Sequence, residues 1–546
     1  MDGMEEAKRA FDLSANLSKE DHLWIEGQYR VATDDAQKAL EIYKALFDLH
    51  PDNLEYGLRL ARCQGRAGKP QEAMATVGLL RKLPAPEKDD PRVDVAEVWE
   101  ALNLSNWQRA QSAAQRAVQK GNESGARLVV AEALGYEGMA YWVQRKLEEA
   151  TAASQQAADI YASIGDLDSR ASALSDIANI MSERGDIAGA GKIYRESRDI
   201  HAKMGNEMAL QNDLGNLATT SLQQGDFKGA MESYQQQLAI ARKMEFTLAE
   251  VMALQGIGDT LVRQGDPQGA RQFYEKSLQV CRDKKASLTL PLCLSNVASL
   301  LADQGDIPRA QSLLQENVTV SAKSENRDLT AIALQNLAGL LVKKAQFTEA
   351  RAKYEQGLSI DTQTGQTSAI PWDRLDLASI SLEEGRPGDA EATARETMEA
   401  LQKQKSVGGE VRAHTLLARA LLMEGKLKEA TTEVDQAKAL WEKSRDFNQH
   451  FDIGIVSARI LAQSHDPAEA ERQLNLLLDE STRDGLVSYQ FEIRLALGEI
   501  EMKSGKASTG LAHLKSLEKD ATAKGFLLIA RKAKAAASDA APPKRG

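Results

Sequence analysis

LDSRASALSDIANIMSERGDIAGAGKIYRESRDIHAKM, residues 167 to 204, decides the fold of this chain. Leu174, Ile177, Ala178 and Met181 fall at helical spacing, Gly185-Asp186 interrupts, and Ala190, Tyr194 and Ile200 resume it. Apolar residues three and four apart turn one helical face to a core, so the stretch encodes two antiparallel amphipathic helices. Gly185 suits the left-handed conformation that ends the first helix, and Asp186 suits the cap of the second, accepting from its free amides. Ala190 lets the two backbones approach, and Tyr194, one turn on, fills the space beside the next unit.

The same turn recurs at forty residues: Gly185/Ala190, Gly225/Ala230, Gly265/Ala270, Gly305/Ala310, Ala345/Ala350, Gly385/Ala390, Gly425/Ala430, His465/Ala470 and Gly505/Gly510. Backwards it continues through Arg145/Ala150, Ser105/Ala110, Gly68/Ala73 and Asp34/Ala39, the spacing falling to thirty-seven and then thirty-four. A large residue often follows nine positions after the turn, as at Tyr43, Tyr194, Tyr234, Tyr274, Leu314, Tyr354 and Leu474. A fixed period of this size means stacked units that share one core, because a single helix pair cannot bury its own apolar face. The expectation is an all-α, right-handed α-α superhelix of about thirteen helix-turn-helix units with no sheet, forming one elongated body.

Composition narrows the function. A formal charge of -11 disfavours a surface made to neutralise phosphate backbones, so direct nucleic-acid binding is not expected. Cys63, Cys281 and Cys293 are odd in number and lack C-x-x-C spacing, which predicts small core hydrophobes rather than a disulfide framework or a zinc site. No window of about eighteen apolar residues suggests a membrane segment. A cytoplasmic location is expected, with the extracytoplasmic portion of a membrane-anchored parent as the alternative.

Motifs that carry chemistry dissolve on inspection. Ser504-Gly505-Lys506-Ala507-Ser508 lacks the first glycine of a phosphate-binding loop, and Ala507 replaces the hydroxyl that would hold magnesium, so it reads as a repeat turn. Gly256-Ile257-Gly258 lacks the third glycine of a dinucleotide fingerprint, and Gly258 falls at a helix-packing position. The seven histidines are scattered without H-E-x-x-H, and Glu148-Glu149 and Glu383-Glu384 flank turns as solvated helix ends do. No enzyme signature, metal site or cofactor is implied.

Leu214-Gly215-Asn216-Leu217-Ala218 leading to Gly225-Asp226-Phe227, and Asn296-Val297-Ala298 leading to Gly305-Asp306, resemble tetratricopeptide repeats. The similarity is to the longer variety of kinesin light chains and many bacterial signalling proteins, and it spans roughly residues 5 to 525. Residues 1–100 read as shorter units, with Gly27, Ala39, Tyr43 and Pro51 on pattern and Arg30 off it, since Tyr29 comes one residue early. Residues 101–365 read as regular forty-residue units, 366–531 as more divergent ones, and 532–546 as a disordered tail. The divergence rests on Arg374 and Arg494 at leucine positions and on Gly510 at the packing alanine; Pro291 and Pro371 are read as helix starts. Residues 4 to 16, with Ala7 and Phe11 on pattern, read as a second helix whose first helix is absent, as in a chain that begins inside a longer array.

The resemblance implies a concave groove lined by the first helix of each unit. It puts Asp176, Asn216, Asn296, Asn336 and Asp376 two residues before the small packing residue, where asparagine in such arrays bonds a peptide backbone or a neighbouring helix. Around them lie Asn212, Gly215, Thr219 and Gln223, and Gln335, Gly339 and Lys343. The peptide-binding candidates are therefore Asn212, Asn216, Thr219, Asn296, Gln335, Asn336 and Lys343, and the structural repeat positions are Ala39, Ala73, Ala110, Ala150, Ala190, Ala230, Ala270, Ala310, Ala350, Ala390, Ala430 and Ala470. No convergent lysine and arginine cluster of the kind that captures a C-terminal carboxylate stands out, so a neutral, mixed or modestly basic peptide is expected. The implied function is a non-enzymatic scaffold for a protein or peptide partner, with homodimerisation open. The alternative is the C-terminal sensor portion of a bacterial signalling protein such as a serine/threonine kinase or winged-helix regulator.

Overall fold

The computed structural model describes residues 2–33, 35–324, 326–444, 447–464 and 466–538. Asp34 and His465, two of the expected turn positions, and residues 539–546 of the expected tail lie outside them. The described residues form helices and no strand. Their contacts divide the chain into two compact units rather than one body, Met1–Thr220 and Ser221–Gly546.

The first unit holds α1 (Asp2–Leu13), α2 (Lys19–Ala32), α3 (Ala36–Leu49), α4 (Leu54–Arg66), α5 (Pro70–Leu80), α6 (Pro91–Asn103), α7 (Trp107–Ser124), α8 (Arg127–Val143), α9 (Leu147–Ile164), α10 (Leu167–Glu183), α11 (Ile187–Met204) and most of α12 (Glu207–Gln223). The second holds α13 (Phe227–Lys243), α14 (Thr247–Arg263), α15 (Pro267–Asp283), α16 (Leu290–Asp303), α17 (Ile307–Ser321), α18 (Arg327–Lys343), α19 (Phe347–Thr364) and α20 (Ile370–Glu383). It continues with α21 (Pro387–Lys403), α22 (Val407–Met423), α23 (Leu427–Ser444), α24 (Phe447–Gln463), α25 (Pro467–Arg483), α26 (Val487–Lys503), α27 (Ala507–Ala523) and α28 (Leu527–Ser538). From α2 onward even-numbered helices are the first of each pair and odd-numbered helices the second.

Every described turn of the forty-residue series is left-handed, including Ser105 at φ 54°, Arg145 at 62° and Ala345 at 57° beside Gly185 at 87°. A second series runs between pairs: Gly125, Gly165, Gly205, Glu245, Lys285, Gly365, Lys405, Gly485 and Gly525 all have positive φ. From α6 onward one left-handed residue thus follows each helix whose end is described, at intervals of twenty residues, leaving its last carbonyls to the following amides. The twelve packing alanines from Ala39 to Ala470 are all fully buried. Asp186, Asp226 and Asp266 cap their helices through the amides of Gly189, Gly229 and Gly269 at 2.8–2.9 Å. A Cβ on any of those glycines would sit 2.3 Å from the capping carboxylate. Where the third residue is Arg309 or Glu469 the same cap lengthens to 3.2 or 3.1 Å.

Several sequence expectations resolve locally. Gly256 lies under the Tyr234 ring and Gly258 under that of Tyr274, with 2.2 and 2.4 Å from the position of an added Cβ to the ring carbons. Pro291 and Pro371 open α16 and α20. Residues 366–531 keep the period, and Gly510 is buried where the helices approach so closely that a Cβ would meet the Met502 amide at 2.8 Å. Arg374 and Arg494 replace leucine by pairing outward with Glu396 and Asp520. Cys281 and Cys293, read as small core hydrophobes, are both buried, and they are adjacent, their sulfurs 2.7 Å apart across α15 and α16. The tail expected from residue 532 is corrected through Ser538: α28 packs on α27, Ala533 is fully buried and Lys532 pairs with Glu383. Its alanines, which read as frayed, are strong helix formers that fit close against a neighbour.

Candidate functional site

In the second unit the array returns on itself. Residues of α16 to α19 share one hydrophobic core with Phe491, Leu495, Leu514, Leu517 and Phe526 of α26 to α28. Phe491 and Phe526 meet edge to face at 5.2 Å, Lys343 Nζ donates to Ser488 Oγ at 2.9 Å, and the left-handed Gly525 lies against Ile307. The first helices of successive pairs therefore line an open interior cavity of about 1060 Å³, walled by α16, α18, α20, α22, α24, α26 and α28.

The lining follows the repeat. Positions forty apart supply Trp372, Arg412, Asp452, Glu492 and Lys532, and a parallel row seven residues on supplies Ser379, Arg419, Arg459 and Glu499. Most of these charges are neutralised in place. Arg412 pairs with Asp376, Glu383 accepts from both Arg419 and Lys532, Arg459 pairs with Glu499, and Lys343 bonds Asp303 at 2.8 Å. Burial raises the Glu383 carboxyl, yet the charges of Arg419 and Lys532 outweigh it and hold that group below its ordinary range. Asp452, Glu492 and, at the end of α26, Lys503 make neither a side-chain hydrogen bond nor an ion pair among the described residues. Asp452 is exposed to the cavity, and desolvation by the surrounding protein, opposed by Arg419 and Arg412, pushes its carboxyl up to about 6.

Of the residues chosen from sequence, Lys343 lines this cavity. Asn296 donates to Gln255 Oε1 at 2.6 Å, Asn336 to Ser295 Oγ at 3.0 Å, and Asn216 to Asn179 Oδ1 at 3.4 Å, each a bond to the preceding first helix. Gln335 Nε2 bridges the buried carboxyls of Asp361 and Asp373 at 2.9 and 2.5 Å. Burial first, and the Asp361 charge second, push Asp373 up to about 8. Asn212 and Thr219 are exposed on α12; Asn212 accepts from Gln211, and the Thr219 hydroxyl donates to the Gly215 carbonyl. Asn212, Asn216 and Thr219 belong to the first unit and the other four to the second. Counting forties from Asn212 and Thr219 leads to the charged lining, so the register was legible and the repeats that use it were not.

A stack of helix pairs with left-handed turns every twenty residues and a small residue, alanine at all but Gly510, at each crossing defines an α-helical repeat protein. The sequence models of tetratricopeptide repeats match residues 30–96, 95–163 and 208–283, and that of the MalT-like TPR region matches residues 292–530. The chain belongs to the tetratricopeptide repeat proteins. No curated protein matches it. The apo form of RapI is a similar solved structure at 14% identity and a TM-score of 0.51, covering 65% of this chain and 98% of that one. Aspartyl phosphate phosphatase F from Bacillus subtilis aligns at 12% identity and a TM-score of 0.46 over 64% of this chain and 94% of its own. The APC/C hetero-tetramer Cut9-Hcn1 gives 12% and 0.47 over 98% of both. At 14% identity the likeness to RapI is one of fold. Among the described residues no helix is long and apolar enough to cross a membrane.

Proposed function

We propose that this protein is a non-enzymatic interaction module whose second unit takes an extended peptide segment, bearing at least one basic side chain, into the interior cavity. The repeat family supports an interaction or sensor role in general. The observation that carries the finer reading is the pair Asp452 and Glu492, neighbouring carboxylates in one register that face the cavity without a bond. Unpaired carboxylates in a partly desolvated space are costly until a cation or donor meets them. Trp372 and Tyr489 add ring surface, and Lys343 at the edge joins the residue chosen from sequence to the same lining. Asn212, Asn216 and Thr219 on the first unit, and Asn296, Gln335 and Asn336 on the second, are proposed as supports that fix the spacing of first helices and as secondary peptide contacts.

The test is calorimetric titration of the full chain with a library-selected basic peptide, comparing the parent with Asp452→Asn/Glu492→Gln. Loss of the two charges is expected to weaken binding at least about tenfold, the scale of a charge-assisted pair, with no fall in melting temperature. Because Asp452 titrates near 6, parent affinity is expected to rise between pH 5 and pH 7.5 as the carboxylate forms. Equal affinity for parent and double variant would remove the cavity from the binding reaction.

A further inference from the structure

The first unit carries a second cleft, in which arginines stand beside aromatic rings. Its volume is about 520 Å³ and its walls come from α4, α6 and α8, three successive first helices. Arg59, Arg62 and Arg66 follow one another along one face of α4, with Arg92 on α6 opposite. Leu58, Val95, Ala96, Trp99 and Tyr136 give the cleft an apolar and aromatic surface. Three carboxylates also line it: Glu55 is engaged by Arg92, Glu132 accepts from the Tyr136 hydroxyl at 3.4 Å, and burial pushes Glu100 up to about 7. Arg59 lies over the Trp24 ring at 5.8 Å, Arg62 is exposed, and neither forms an ion pair among the described residues. In a chain of net charge -11 whose other arginines are so widely paired, two guanidinia left open beside rings are a ligand's complement.

We propose that this cleft is a second binding site, for an extended acidic peptide segment with an apolar or aromatic side chain next to its carboxylates. It is independent of the cavity described above, being in the other unit. Three arginines at helical spacing spread positive charge over about 10 Å of α4. Alternate side chains of an extended strand recur at about 7 Å, so carboxylates on one edge of the segment reach successive guanidinia while the intervening side chains meet Trp99, Tyr136 and Leu58. A compact phosphate cluster would need guanidinia converging on one point, and these are strung along a helix.

The experiment measures fluorescence anisotropy of labelled Glu-Phe alternating octapeptide on the full chain, against the Lys-Phe counterpart and against inorganic tripolyphosphate as competitor. The acidic peptide is expected to bind more tightly than the basic one, with affinity falling as salt rises. Arg62→Glu is the decisive variant, because its side chain is exposed and unpaired; it is expected to weaken binding at least about tenfold without lowering the melting temperature. Arg62→Lys is expected to retain most of the affinity, and Asp452→Asn/Glu492→Gln all of it. Arg59→Ala tests the same surface, with its melting curve read alongside because Arg59 packs on Trp24. Equal binding of the two peptides, or parent-like affinity in Arg62→Glu, would overturn the assignment. So would tripolyphosphate binding tighter than the acidic peptide, which would mark the cleft as a phosphate site.

Discussion

Small residues at the crossings set the closeness of the helices, and the cost of enlarging one is the most direct test at the residue scale. Ala310 is fully buried where α17 meets α16, so Ala310→Leu is expected to destabilise the protein by about 1–3 kcal/mol through overpacking, seen as a lower melting temperature. Polar residues between repeats carry a different liability. Asp373 holds its proton to about 8 because it is buried beside Asp361. A group with a raised folded pKa contributes its stability at acid pH and loses it as pH climbs from the ordinary carboxylate range through that value. Asp373→Asn is therefore expected to melt higher than the parent at pH 9, with the difference shrinking toward pH 5. A constant difference across that range would assign the effect to packing instead. The two carboxyls were invisible as a pair in the sequence, twelve residues apart on successive helices; Gln335 looked like a groove residue because its register faces inward, and its bond to both acids appears only when α18, α19 and α20 are packed.

At the scale of the element, the twenty-residue alternation of helix and left-handed residue is the governing rule. Six described turns adopt that conformation without glycine, among them Ala345, Glu245 and Lys405, and each carries strain from the Cβ and carbonyl contact. Ala345→Gly is expected to raise stability by up to about 1 kcal/mol, whereas Gly265→Val is expected to lower it by at least as much; thermal melting of the two variants checks both signs. The first series of turns was readable because small residues and aspartate caps punctuate it. The second was less so, since Glu245, Lys285 and Lys405 mark no turn by composition; the glycines at 125, 165, 205, 365, 485 and 525 were the available signal. The end of the array shows the reverse error, as alanine-rich residues 532–538 resembled a tail and are a helix with a partner.

Across the whole molecule, each unit presents a first-helix surface of its own chemistry, mixed charge in the second and arginine with rings in the first. In the second, closure depends on α26 and α28 meeting α16 and α18. Phe526 is almost wholly buried in that contact, so Phe526→Ala is expected to cost about 3–5 kcal/mol and to speed amide exchange in α16 and α18, far from it in sequence. Unchanged exchange there would mean that the two ends of the unit hold themselves without each other. The sequence by itself determined the helices, their turns, the alanine crossings and the register that faces inward, because these depend on residues within one or two repeats and recur at every period. Only the tertiary structure decided that the second unit returns on itself, that Asp452 and Glu492 face an interior cavity unpaired, and that Arg59 and Arg62 stand beside Trp99 and Tyr136. Those outcomes depend on small rotations from repeat to repeat, which accumulate over five or more pairs before distant helices meet, and no single repeat encodes the sum.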